Sequence, residues 1–404
     1  MKGALGPYYH DFQCIDLNEL DAWRALPQPP RRPRADSIAA WQMRLDDATD
    51  RAYLFSGKRE LQYFDLKEEK WGKIATKWSG GDPKYWPYPS SELSEYSMAI
   101  VRGKLYIFGG TYYTNTIGNN LLIELDLETF LWRTLSGTTG PLVPDVTTPG
   151  PRRHAALWVD GKGERLWLLY GEADRAGAQD RGQPNGAKIG FGFDDCWSWD
   201  IAAESWRRER IAGNPPSPRS ELACTYNTKL DKAFVFGGYC PNVPTVFPDQ
   251  GLFQFTYYAD TFMLDPAPAN GSPPRWKQVL TRGFPTYRAL SHLVSDPESG
   301  KVFLFGGYTN SDFVPNRKHP ISRSFGDLWQ LKLDVPGGFF EGVDIEEEAR
   351  TAKAGPWKRC FSCGNAGQWK KCAGKCGGRA FFCNKQCQID GWKEHKAMHN
   401  CSKK

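Results

Sequence analysis

Methionine and histidine are scarce, with five Met and six His in 404 residues. Only His10, His154, His292 and His319 lie before the last fifty residues. That is thin support for an oxidase-type centre built from converging imidazoles and tyrosines. No apolar run of about 18 residues occurs, so no membrane-spanning helix is expected. The opening MKGALGPYYHDF lacks the apolar stretch of a secretory leader. The expected setting is therefore intracellular, cytoplasm or nucleus, where thiols stay reduced and clustered cysteines favour metal over disulfides. What the chain does have is 16 Trp, 17 Tyr, 23 Phe and 41 Gly, a composition of strands and turns rather than helices.

Charge is uneven. From Thr351 onward there are twelve Lys or Arg and two acidic residues, +10 of a total of +6, which leaves −4 for the first 350. A basic tail suits an acidic partner or nucleic acid. It equally suits a cluster of metal-bound thiolates that needs compensating cations.

A phrase recurs along the chain: AYLFSG (52–57), KLYIFGG (104–110), RLWLLYG (165–171), KAFVFGG (232–238) and KVFLFGG (301–307). A β-like stretch precedes each copy. A strand with an Asp follows, in LQYFDL, NLLIELDL, DCWSWDI, DTFMLD and DLWQLKLD, and then Trp71, Trp132, Trp206, Trp276 or Trp357 opens a last strand. Four strands per unit, repeated at this spacing, predict a propeller with one sheet per blade. The glycine pair supplies positive φ at the turn after strand two. The GG…D…W pattern resembles the kelch repeat over residues 10–357, which implies an all-β kelch-type propeller. FQCIDLNELDAWRAL (12–26) adds half a unit, so the count is five or six blades, leaning to six. Residues 335–356 read as an acidic insertion in the last unit.

Because strands alternate in direction, the long loops after strand two and the Arg-bearing entries to strand one are expected on one face. Arg34, Arg152, Arg153, Arg219 and Arg288 are the candidates for a protein-binding surface there. The competing reading makes each a structural arginine bonded to neighbouring carbonyls.

The second domain is expected over 358–404. Its cysteines run Cys360-x2-Cys363, Cys372-x3-Cys376, Cys383-x3-Cys387, then His395, His399 and Cys401. Paired cysteines form tight knuckles that bring two sulfurs to one ion, and eight donors fit two tetrahedral zinc ions. A module this small lacks the apolar bulk for a core, so metal would supply its folding energy. The last donor is open: Cys401 is favoured slightly over His399, because a helix ending near Asn400 lets the chain curl back. The pattern C-x2-C…C-x3-C…FFCNKQCQ-x3-W-x2-H resembles a MYND-type zinc finger. That resemblance implies interleaved ligands, Cys360, Cys363, Cys383 and Cys387 on one ion, Cys372, Cys376, His395 and one more on the other. It also implies a shallow groove near Gln388 and Trp392 that takes short proline-containing peptides. The family has H-x3-C where this chain has His399, and a small hydroxyl residue where it has Ala373.

Together these features predict a non-enzymatic zinc-binding adaptor with two structural Zn2+ ions and protein or peptide partners. A propeller enzyme of oxidase or specifier type, a methyltransferase and a nucleic-acid-associated regulator are the alternatives. No SET-like stretch and no Arg-rich recognition helix favours the latter two.

Overall fold

The computed structural model describes residues 11–402 apart from 21, 31–40, 80, 83–84, 89–91, 113–117, 140–146, 175–189, 242–244, 247–251, 254, 267–273, 280, 282–284, 313–320, 334–352, 355–356, 363–365 and 368. Among the described residues no helix is long and apolar enough to cross a membrane. The chain divides into two compact units.

The first unit holds three blades of four antiparallel strands, the second joined by a short parallel strand, Lys77–Trp78. They are Gln42–Asp46, Arg51–Phe55, Leu61–Asp65 and Lys70–Ile74; then Ser97–Val101, Lys104–Phe108, Leu122–Asp126 and Leu131–Ser136; then Ala156–Val159, Arg165–Leu169, Cys196–Asp200 and Ser205–Arg208. The second unit holds Ala223–Asn227, Lys232–Phe236, Thr261–Asp265 and Arg275–Val279, and a blade of three described strands, His292–Ser295, Val302–Phe305 and Leu328–Leu331.

The second strand of each blade reads as an unbroken apolar run because both its faces are covered. In KLYIF, Leu105 and Ile107 pack with Tyr53 and Phe55 of the blade before. Tyr106 and Phe108 point the other way, onto Leu166, Leu168 and Trp197 of the blade after. Side chains alternate across a strand, so a buried sheet shows no polar face.

The Asp…Trp half of the repeat is a turn device. The carboxylate of Asp65 accepts the backbone N–H of Lys67 (3.1 Å) and Glu68 (3.0 Å), and that of Asp126 accepts Glu128 (3.0 Å) and Thr129 (2.8 Å). Asp200 does the same with Ala202 and Ala203. A short carboxylate bonding two residues ahead closes the reversal between strands three and four. The tryptophan then enters the core: Trp132 and Trp276 are fully buried.

The glycine pair is a clasp between neighbouring blades. Gly110 N–H bonds the carbonyl of Arg152 (2.9 Å), and Gly238 N–H that of Arg288 (2.9 Å). Both pairs of glycines have positive φ, and a Cβ on Gly109 or Gly237 would sit 2.5 Å from the same arginine carbonyl. Glycine is required there for conformation and for contact.

The arginines of this clasp are structural, which corrects the binding-face expectation. Arg152 and Arg288 are 0% exposed and Arg219 2%. Arg152 forms a two-pronged pair with Asp195 and also bonds the carbonyls of Gly150 and Tyr170, both at 2.9 Å. Arg288 pairs likewise with Asp327 and bonds the carbonyls of Thr286 and Gly306. Each guanidinium lies 3.8 Å from an aromatic centroid, Phe193 or Phe325. Arg219 bonds the carbonyl and hydroxyl of Ser217. Burial pushes the Asp195 and Asp327 carboxyls up, but the guanidinium beside each outweighs it and holds them below the usual range. Arg153, half-buried, pairs with Glu95 and Glu172 (both 3.1 Å). Arg34 lies outside the described residues.

The expected sixth blade is not present among the described residues. The N-terminal segment gives a two-stranded hairpin, Gln13–Cys14 with Arg24–Ala25, and no further strands join it. It covers the first blade through Leu26, Phe12 and Cys14 against Ala52, Phe64 and Trp71. The fifth blade also differs from expectation. Trp357–Arg359 pairs with Lys353–Ala354 and Ala366–Gly367, not with Leu328–Leu331. The acidic insertion falls almost wholly outside the described residues, with only Lys353 and Ala354 seen.

In the second blade the positions of Arg152 and Asp195 are held by Leu93 and Leu121, both buried in its apolar cluster. Leaving one member of a buried ion pair alone costs about 3–5 kcal/mol, while an apolar pair of similar volume is nearly neutral. Asp327→Leu should therefore lower stability by roughly that amount, and Arg288→Leu with Asp327→Leu should recover most of it. Denaturant midpoints of the full chain read both changes; equal midpoints for the single and double variants would contradict it.

Candidate metal centre

The last 45 residues build their site from two hairpin pieces and two helices. Lys370–Lys371 pairs with Phe381–Phe382, and Cys360 bridges Phe381 alongside. Helix α1 spans Lys385–Asp390 and α2 Trp392–His399. Asn384 caps α1: its side-chain oxygen accepts the N–H of Cys387 at 2.8 Å. An Asn at that position satisfies an orphan helix donor, and here it also fixes Cys387 one turn beyond Cys383, with the sulfurs 3.4 Å apart.

Helix α2 ends at Asn400, which adopts φ 47° and ψ 38° and bonds back to the carbonyl of Lys396. This left-handed cap reverses the chain and returns Cys401 toward the second cysteine pair, its sulfur 3.8 Å from that of Cys372. Gly374 makes room for that approach. A Cβ on it would lie 2.6 Å from the Cys401 sulfur and 2.7 Å from the Ser402 carbonyl oxygen.

Two groups of donors result. The donor atoms of Cys372, Cys376, His395 and Cys401 all lie within 4.8 Å of one another, and all four residues are buried. Those of Cys360, Cys383 and Cys387 form a second group by the same measure. Cys363 lies outside the described residues. His399 is buried but not in either group; its Nδ1 lies 2.8 Å from Nδ1 of His395. The structure thus places Cys401 with the second pair and His399 behind His395.

The residues fit a metal ion. His395 Nε2 is buried without a hydrogen-bond partner, a cost that a bound cation removes. Burial, then His399, lowers the His395 pKa and keeps the imidazole neutral, as a ligand must be. Burial pushes the Cys372 thiol up. At Cys376 the backbone N–H groups of Gly378 and Arg379 outweigh burial and hold the thiol below its usual range. The apolar remainder is small: Phe361, Ala380 and Phe382 with Trp369, Trp392 and Met398 around the cysteines. Trp392 is half-buried and packs 5.7 Å from the His395 ring, whereas Gln388 is exposed. These clusters can hold metal ions.

Among residues that sequence reasoning passed over, Gly374 has the largest role, and its only signal was small size between two cysteines. Gly374→Ala should displace Cys401 and lower the metal that the chain retains. Metal analysis of the purified full chain checks this; unchanged metal content would show that Cys401 does not depend on that gap.

Comparison with known proteins concerns the repeat region. The KLHDC2/KLHL20/DRC7 Kelch-repeats domain family matches residues 3–238. Kelch domain-containing protein 3 of Bos taurus is 25% identical over 229 residues, covering 54% of this chain and 52% of that protein. Adagio protein 3 of Arabidopsis thaliana is 26% identical over 262 residues, 62% of this chain and 35% of that protein. Host cell factor 1 of Rattus norvegicus is 28% identical over 195 residues, 46% of this chain and 9% of that protein. The match to Kelch domain-containing protein 3 spans about half the length of that relative. With the family match covering more than half of the 404 residues, the chain belongs to the KLHDC2/KLHL20/DRC7 kelch-repeat family.

Proposed function

We propose that this protein is a non-enzymatic adaptor with two binding modules, a kelch propeller for one protein and a zinc finger of MYND type for a short proline-containing peptide. One observation carries the finger half: the four-donor group of Cys372, Cys376, His395 and Cys401. A site with all four positions filled by protein leaves none for water, which is the signature of structural rather than catalytic zinc. Cys360, Cys363, Cys383 and Cys387 would hold the second ion. Each structural zinc contributes about 10–16 kcal/mol of apparent folding energy, which a module with so few apolar side chains requires. A reducing compartment, cytoplasm or nucleus, would keep these thiols available.

The propeller half rests on the kelch family. With its arginines buried, binding would fall to the loops and to residues such as Arg153. Gln388 and Trp392 lie on consecutive turns of α1 and α2, and the half-buried indole suits an extended proline-rich ligand.

Affinity capture with the full chain tests the reading. Trp392→Ala, or removal of metal by a chelator, should abolish capture of a proline-containing peptide library by more than tenfold. Partners held by the propeller should remain. Loss of every partner together, or retention of peptide by the metal-free chain, would contradict two independent modules.

A further inference from the structure

We propose that His399 acts on the zinc ion without touching it, as the positioning partner of His395. The inference rests on the zinc reading above. The two imidazoles sit one helical turn apart on α2, at i and i+4, and face each other through Nδ1 and Nδ1 at 2.8 Å. One of these nitrogens must donate and the other accept. The remaining nitrogen of His395, Nε2, is buried with no hydrogen-bond partner, in the residue whose donor atom clusters with Cys372, Cys376 and Cys401. The hydrogen bond alone lets either imidazole donate, and ligation of the ion through His395 Nε2 selects one assignment. His395 carries its proton on Nδ1 and donates it to Nδ1 of His399, which leaves the Nε2 lone pair for the metal.

Packing holds the pair in that relation. The Phe361 ring meets both imidazoles edge to face, at 5.4 Å from His395 and 5.5 Å from His399, and Phe382 and Trp392 close on His395 at 5.7 Å each. A carboxylate or carbonyl usually receives the second N–H of a ligating histidine. Here a second histidine takes that part. It stands where H-x3-C spacing would put a cysteine, and the left-handed Asn400 moves the true thiol on to Cys401. The outer partner fixes the ring's tautomer and orientation and raises its basicity, and its loss typically costs 10–100-fold in metal affinity.

The test compares the full chain with His395→Ala, His399→Ala and His399→Asn, by zinc content and by competition with a zinc-chelating dye. The unaltered chain should hold two zinc ions, and His395→Ala one. His399→Ala should still hold two, with one about 10–100-fold easier to extract. His399→Asn, whose side-chain oxygen can accept the same Nδ1–H, should restore most of the affinity. Long-range 1H–15N spectra of 15N-histidine-labelled chain should show His395 metal-bound through Nε2 and protonated on Nδ1. A His399→Ala chain with one ion would make His399 a ligand, and unaltered extraction would give it no part; either overturns the inference. An unaltered chain without two zinc ions would instead overturn the zinc reading itself.

Discussion

The fold depends on a close approach of backbone to backbone at the start of each blade. A glycine with positive φ at the end of strand two donates to the carbonyl of the residue four positions before the next blade's first strand, as Gly110 does to Arg152 and Gly238 to Arg288. At Gly110 a Cβ would lie 2.5 Å from the Ser94 carbonyl oxygen, so nothing larger than hydrogen fits there. The arginine that supplies the carbonyl spends its own side chain inward, on an Asp at the head of strand three. Backbone clasp and buried ion pair are thus two ends of one residue. The second blade shows which end is dispensable. There the bond runs the other way, Leu93 N–H to the Gly57 carbonyl, and Leu93 and Leu121 replace the charges. The backbone contact persists and the ion pair is exchangeable, as desolvation costs would predict.

A second device runs beside it. The residue two before strand one adopts a left-handed conformation in every blade where it is described: Glu95, His154, Glu221 and Leu290, at φ between 48° and 59°. Within each unit these residues chain together, His154 N–H to the Glu95 carbonyl and Leu290 N–H to that of Glu221. Their side chains differ freely. Burial alone would raise the Glu95 carboxyl, but His154 and Arg153 beside it hold it at about 2. The backbone at this position is fixed by the fold, and the side chain is left for each blade to use.

Much of this was legible in sequence. The five Gly-containing phrases located the five blades, and the Asp…Trp spacing located the reversals that Asp65, Asp126 and Asp200 close. The left-handed residues were not legible, because Glu, His and Leu carry no glycine-like signal for positive φ. The arginines were visible as a set, but side-chain direction was not. Their regular spacing marked a shared structural role, and burial with Asp195 and Asp327 is what that role demands. The sixth blade rested on the half unit at 12–26, and the use of Trp357 as a blade strand on the recurring Trp. A hairpin of two strands and a Trp paired within 353–367 satisfy the same local pattern without completing a sheet. In the finger, spacing alone gave the cysteine pairs. The preference for Cys401 rested on a helix ending near Asn400; the left-handed cap there and the gap at Gly374, which spacing does not encode, bring its sulfur to Cys372.

The proposed finger is a closed module of two zinc ions, one in four sulfurs and one in three sulfurs and an imidazole. X-ray absorption at the zinc edge of the fully loaded chain measures this directly. It should give an average shell of about three and a half sulfurs at ~2.3 Å and half a nitrogen at ~2.0 Å per zinc, with no water oxygen. A shell richer in nitrogen, or one containing oxygen, would contradict the assignment of Cys401 and the closed, structural character of the site.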